Sequence, residues 1–243
     1  MTFRISETLD IEALAAFYAR KGRIHLPGFL TEESAQGLSA RIREIPRWNL
    51  VFEALGKHYD LDAEGTSVLP AEQRERLMAI VHEQAGKGFA YLFDNCPLYD
   101  IYHHGASPDH PLMEMVEFLN SEAFLSLMRR LTGAADISFA DAQATRYGPG
   151  HFLTTHDDAV DGKNRRAAFV LNMTPDWRPD WGGYLNFFGP EGHIEEAYKP
   201  TFNAINIFSV PAAHSVGLVA PFAGAKRTSI TGWLRAGVDP LRR

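Results

Sequence analysis

Apolar residues recur at helical spacing through much of the first half of the chain and at alternate positions through the second. From Asp10 to Tyr18, the apolar residues Ile11, Leu14 and Phe17-Tyr18 keep a period near 3.6 and stop near Gly22, which predicts a first helix. Thr31 can cap a second, with Glu32 and Glu33 in its positive first turn and Leu38 and Ile42 on the buried face. Pro70 to Gly86 opens on proline and closes on glycine as a third helix does. Ser121-Glu122 opens a fourth, through Phe124, Leu125, Leu127, Met128 and Leu131 to Gly133. These stripes are core faces. From about Asp136 the period becomes extended: Asp136 to Tyr147 alternates, Arg166 to Met173 is mostly apolar, and Tyr184 to Phe188, Ala204 to Val210 and Arg227 to Leu234 follow. Short strands in series, separated by Gly/Pro turns, predict a sandwich or barrel, with the helices packed on the outside of the sheet.

Composition narrows the function. A chain of 243 residues with 45% hydrophobic content buries a full core without disulfide staples. The formal charge of −6 disfavours a surface that coats nucleic acid, so no nucleic-acid partner is expected. The one cysteine, Cys96, forms no internal disulfide and no cysteine-rich metal site, and it makes the cytoplasm the expected location. Met1 to Asp10 shows no signal peptide. Pro200 to Ala225 lacks Asp, Glu, Lys and Arg, but Pro200, Pro211 and Pro221 break it, and Asn203, Asn206, His214 and Ser215 are costly in lipid. Buried strands with turns are expected there, and no membrane partner.

Ten histidines are the available metal ligands. A histidine and a carboxylate two apart on a strand share a face, so one ion can bind both. Three such pairs occur: His58-Tyr59-Asp60, His156-Asp157-Asp158 and His193-Ile194-Glu195. His58 is expected in a solvated loop, and the adjoining Asp60 to Gly65, which starts like a calcium loop, has Ala71 where the closing glutamate belongs. His193 reads as a polar hairpin edge. The pair His103-His104 is read as extended, its two side chains on opposite faces and unable to share an ion. His156 stands apart because the rest of a site follows in order: His214 beside an apolar strand, then Arg227 at the start of the last strand. Alone, His214 reads as a packed core histidine and Arg227 as a surface charge. Together, two histidines and one carboxylate leave open positions on an ion, as in non-haem Fe(II) oxygenases, and an arginine fork can hold a dicarboxylate.

The sequence His156-x-Asp158, His214, Arg227-x-Ser229 and Ile230-Thr231-Gly232-Trp233 resembles the 2-oxoglutarate- and Fe(II)-dependent oxygenases, and within them the prolyl hydroxylase branch. Tyr147 to Trp233, with Arg166-Ala167-Ala168-Phe169, Pro175-Asp176-Trp177 and Gly182-Gly183-Tyr184-Leu185, is similar to the catalytic domain of the ribosomal-protein prolyl hydroxylases. The resemblance implies a double-stranded β-helix, or jelly-roll barrel. It would be a single oxygenase domain over residues 1–243, of which 1–135 supply largely helical support and the first strands and 136–243 the catalytic core. The second barrel of those relatives would find no room here. His156, Asp158 and His214 would bind Fe(II), and Arg227 the distal carboxylate of 2-oxoglutarate, assisted by Tyr147 and by Ser229 or Thr231. Trp233 would be a wall behind the metal, and Gly183 a strand position of close backbone approach. Many relatives place a tyrosine where this chain has Asn172, whose shorter amide would leave a looser or water-bridged pocket. The implied reaction hydroxylates a prolyl residue of a protein or peptide, in those relatives a ribosomal or translation protein. It consumes O₂ with ascorbate in support, and yields succinate and CO₂. Tyr91 to Asn95, Tyr99 to His104 and Ala159 to Asn164 are candidate substrate walls. Two alternatives are an oxygenase of a free amino acid or small metabolite, and a non-enzymatic jelly-roll binding module.

Overall fold

The four predicted helices form where their end signals stand. The computed structural model describes residues 3–62, 68–105, 107 and 109–240. Helix α1, Ile11–Lys21, starts where Asp10 accepts the Ala13 N–H at 3.1 Å and ends at Gly22, whose φ of 67° is left-handed. Helix α2, Glu32–Arg43, is capped by Thr31, and α3 runs Ala71–Ala85 behind Pro70. Two short helices without side-chain caps, α4 (Leu98–His104) and α5 (Met113–Leu119), were not predicted. The pair His103-His104 therefore lies on a helix and not on a strand. Helix α6, Glu122–Thr132, is capped by Ser121 and closed by Gly133.

The strands number thirteen among the described residues: β1 (Arg23–Pro27), β2 (Asn49–Ala54), β3 (Lys57–Leu61), β4 (Tyr91–Cys96), β5 (Ile137–Ala140), β6 (Gln143–Tyr147), β7 (Phe152–His156), β8 (Arg165–Asn172), β9 (Leu185–Phe188), β10 (Ile194–Tyr198), β11 (Ala204–Ser209), β12 (His214–Val216) and β13 (Arg227–Ala236). Four of them fall in the half whose periodicity reads as helical. The alternation expected from Asp136 to Tyr147 is broken at Asp141, which turns aside to accept the Trp233 N–H at 2.9 Å and face Arg235. The uncharged stretch after Pro200 supplies β11 and β12, and no described helix is long and apolar enough to cross a membrane.

The antiparallel sheet runs β1-β11-β8-β13-β6-β4-β7-β12-β9-β10. It folds into two facing layers, joined where β4 pairs β6 through Asp94↔Arg146 and β7 through Tyr91↔Leu153. This is a jelly roll with helices outside. Alternation on β8 divides its two faces: Ala167, Phe169 and Leu171 join the core under the helices, where Phe124 of α6 meets Phe169 edge-on at 5.9 Å, whereas Ala168 and Val170 face into the barrel. Helix α3 closes another flank, with Val81 against Phe52, Leu92 and Phe152. Each fully buried Phe or Leu in these clusters contributes about 1.5–3 kcal/mol.

The β2–β3 hairpin turns on Leu55-Gly56 with φ of 56° and 70°, so a bulky residue stands where asparagine or glycine is usual. Leu55 is 71% exposed, and no burial offsets the strain. Leu55→Asn should raise Tm by roughly 2–4 °C in a thermal melt, from about 1 kcal/mol of relieved backbone strain. An unchanged or lower Tm would show that the leucine side chain stabilises the hairpin.

Candidate metal centre and co-substrate pocket

The register of β12 on β7 sets His214 directly opposite His156, and their rings lie 4.1 Å apart. Each ring is oriented by a backbone carbonyl: His156 Nδ1 donates to Thr154 O at 2.9 Å and His214 Nδ1 to Ala212 O at 2.7 Å. A carbonyl only accepts, so both Nδ1 atoms carry the proton and both Nε2 lone pairs turn to the same point. Asp158, just past β7, adopts a left-handed φ of 64° that brings its carboxylate back to them, with Oδ1 3.4 Å from His156 Nε2 and Oδ2 3.5 Å from His214 Nε2. Arg165 holds that bend by donating to Asp158 O at 2.8 Å while its guanidinium lies 3.6 Å over the Trp233 ring.

The ligand atoms of this triad lie within 4.8 Å of one another, the one such cluster among the described residues. Burial and the neighbouring His156 lower the His214 pKa, so the imidazole is neutral, as a ligand must be. Burial opposes the Asp158 charge, but the two histidines outweigh it and hold the carboxylate below its usual range. Two imidazoles and a carboxylate converging on one point suit a divalent cation.

Beside the triad opens a cavity of about 260 Å³. Arg227 on its wall is 1% exposed, with no ion-pair partner among the described residues and a buried Nε that bonds nothing. Burial pushes its pKa down, and its main compensation is the Tyr147 ring, 5.1 Å away. A buried cation lacking an anion matches a carboxylate ligand. Gly183 sits behind it with φ of 66°, outside any strand, and an added Cβ would lie 3.5 Å from Arg227 Cδ. The residues present therefore fit both a divalent metal and a dicarboxylate.

The remaining sequence candidates divide. Tyr147, Thr231 and Trp233 line the cavity. Ser229 and Asn172 do not: Ser229 is fully buried and bonds Thr145 Oγ1 at 3.0 Å, and the Asn172 amide donates to Val170 O and Ala204 O. Ser229 was expected only as an alternative to Thr231, and Asn172 as the short amide of a looser or water-bridged pocket; the structure engages both in bonds within the wall. His58 is exposed, as expected, but it lies on β3 and not in a loop, and it lines the cavity. Of the calcium-like stretch beside it, Asp60 is in β3 and residues 63–65 lie outside the described residues. Beside His193, Glu195 is engaged with Arg23 at 2.8 Å. His103 faces Asp239 at 3.6 Å and His104 bonds Asp100 O at 2.7 Å. Of the expected walls, Tyr91, Phe93 and Asn95 line the cavity, whereas Tyr99 to His104 and Ala159 to Asn164 do not. Sequence reasoning missed Phe89 and Arg165. An arginine shortly after a His-x-Asp turn was a usable signal for the second.

Residues 142–235, which carry His156, Asp158, His214 and Arg227, match the 2OG-Fe(II) oxygenase superfamily. Prolyl 3-hydroxylase OGFOD1 of Xenopus laevis is 30% identical over 119 residues, 46% of this chain and 23% of that protein, so the match spans about a quarter of the relative's length. The structure of a Pseudomonas putida prolyl-4-hydroxylase superposes with a TM-score of 0.58 at 18% identity, covering 94% of this chain and 100% of that one. A prolyl hydroxylase in complex with a hypoxia inducible factor peptide fragment from Trichoplax adhaerens gives 0.59 at 15% identity, over 93% and 89%. The match to the 2OG-Fe(II) oxygenase superfamily is thus confined to residues 142–235, and the similar proteins are themselves named as prolyl hydroxylases.

In a thermal-shift assay, Mn(II) should raise the wild-type Tm and 2-oxoglutarate should raise it further, since a ligand at 100 times its Kd adds about 2.7 kcal/mol. Arg227→Met should keep the Mn(II) response and lose the second increment. A full 2-oxoglutarate shift in that variant would remove Arg227 from the pocket.

Proposed function

We propose that this chain is an Fe(II)- and 2-oxoglutarate-dependent dioxygenase that hydroxylates a prolyl residue in a protein or peptide, with succinate and CO₂ as co-products. The observation that carries it is the coincidence, in one small cavity, of a converging His156–Asp158–His214 triad and a buried, unpaired Arg227. His156, Asp158 and His214 would hold Fe(II) through one face and leave the opposite positions free. Arg227 would take the distal carboxylate with its planar fork, and Tyr147, whose phenol burial keeps protonated, stands against that fork. When bound, iron and 2-oxoglutarate supply the oxidising power by which one atom of O₂ enters a C–H bond and the other enters succinate.

The protein's own work is orientation and exclusion of water. The Nδ1 bonds keep both imidazoles in the ligating tautomer, and Arg165 and Trp233 stiffen the Asp158 bend. The volume decides how a large substrate binds: about 260 Å³ is below the roughly 300–1,000 Å³ of sites for drug-sized molecules, so a peptide lies across the mouth and inserts one side chain. The prolyl choice draws on the similar proteins, which are named for prolyl hydroxylation, one of them holding a peptide. We extend it to a ribosomal or translation protein as the substrate, the cytoplasm as the place of action and ascorbate as the supporting reductant.

The test is incubation with Fe(II), 2-oxoglutarate and ascorbate against proline-containing peptides and lysate proteins. The expected result is succinate release and one added oxygen atom on proline by mass spectrometry. Asp158→Ala should lose both products, and retention of turnover by that variant would overturn the site.

A further inference from the structure

The burial of the metal ligands shows from which side a substrate must arrive. The His214 and Asp158 side chains are 5% and 8% exposed, whereas His156 keeps 17%. Its ring lies 5.8 Å from Phe89, which is itself 47% exposed. From Phe89 a row of rings leads inward, because alternation turns Tyr91 and Phe93 to the cavity and Ala90 and Leu92 to the core under α3. Centroids step 5.5 Å from Phe89 to Tyr91, 5.8 Å to Phe93 and 5.1 Å to Tyr147, the ring that Arg227 overlies.

In the outer part of this row only Tyr91 carries a polar atom, and that atom is fixed. Its Oη lies 2.6 Å from Nδ1 of His58, which reaches across from β3. Burial, helped by the Glu53 charge, pushes the phenol up to about 12, so it keeps its proton throughout the physiological range. When the His58 ring donates to the phenol oxygen, the phenolic proton is free to point into the cavity.

A prolyl residue within a chain has no N–H. What remains to recognise it is the apolar pyrrolidine ring and the carbonyl oxygens on either side. A row of aromatic faces with one held hydroxyl donor matches both. We propose that Tyr91, oriented by His58, is the residue that positions the substrate's prolyl group: its ring packs on the pyrrolidine beside the metal, and its hydroxyl donates to a substrate backbone carbonyl. This rests on the prolyl reading of the site. The role is one of positioning, since among the described residues no hydrogen bond, ion pair or ring contact joins Tyr91 or His58 to His156, Asp158, His214 or Arg227.

The test uses a library of short peptides with proline fixed at the centre, scoring hydroxyproline and succinate for wild type, Tyr91→Phe, His58→Ala and the double variant. Wild type should hydroxylate the library. On its best-modified member, Tyr91→Phe should raise the peptide KM about 5- to 10-fold, the loss expected of one hydrogen bond. It should also raise the succinate formed per hydroxyproline, while the KM for 2-oxoglutarate stays at the wild-type value. His58→Ala should shift the same way, and the double variant should be no worse than Tyr91→Phe alone, as expected of two residues acting through one bond. A Tyr91→Phe enzyme with wild-type peptide KM and wild-type coupling overturns the assignment. A parallel rise in the 2-oxoglutarate KM also overturns it, by placing Tyr91 in the co-substrate pocket. Wild type that makes succinate but no hydroxyproline removes the prolyl reading and this inference with it, a result seen before any variant is compared.

Discussion

In an antiparallel ladder, opposite residues share a face, and a slip of one position turns a strand's side chains to the other side. The pairing of His214 with His156 is therefore the constraint on which the site depends. β12 is only three residues long, yet it is held between β7 and β9, so its register is fixed from both sides. That register aligns the rings, the carbonyls of Thr154 and Ala212 choose their tautomer, and the left-handed bend at Asp158 completes the triad. The register is set between strands far apart in sequence, whereas each carbonyl lies two residues before its histidine and the bend is at Asp158 itself.

The second constraint is a charge in the wrong medium. A guanidinium buried without a counter-ion among the described residues costs several kcal/mol, of which the Tyr147 ring returns about 2. Arg227 opens β13, whose ten residues pair with β6 and then β5 along one edge and with β8 along the other, and this pairing offsets the cost of burying the charge. The proposed anchoring of a dicarboxylate rests on this buried charge standing in the same cavity as the triad.

The triad and Arg227 were legible in the sequence because they are residue types in a fixed order, not because of the short strands β7 and β12, which show no clean alternation. What failed was depth. Ser229 and Asn172 stand on the correct face, as periodicity implied, but one-dimensional spacing does not tell which side chain reaches the cavity and which is spent on Thr145 or a backbone carbonyl. His58 was misplaced because β2–β3 is a short hairpin whose outer strand is largely exposed, and so lacks the apolar alternation that marks a strand. His103-His104 was read as extended because the seven-residue α4 carries little periodicity and no side-chain cap, and Pro97 was the only signal of its start. Phe89 acts through a tertiary contact with His156 that no local pattern reports, whereas Arg165 had a local signal in its place soon after the His-x-Asp turn.

Calorimetric titration of the chain with Co(II), repeated on His214→Ala, tests most directly whether the β7–β12 register builds a metal site. Loss of residues that merely support ligands weakens metal binding about 10- to 100-fold, so loss of a ligand should do at least that. The structure predicts one tight ion per wild-type chain and binding weaker by ~100-fold or more in the variant. Undiminished binding by His214→Ala, or no tight binding by the wild type, would contradict it.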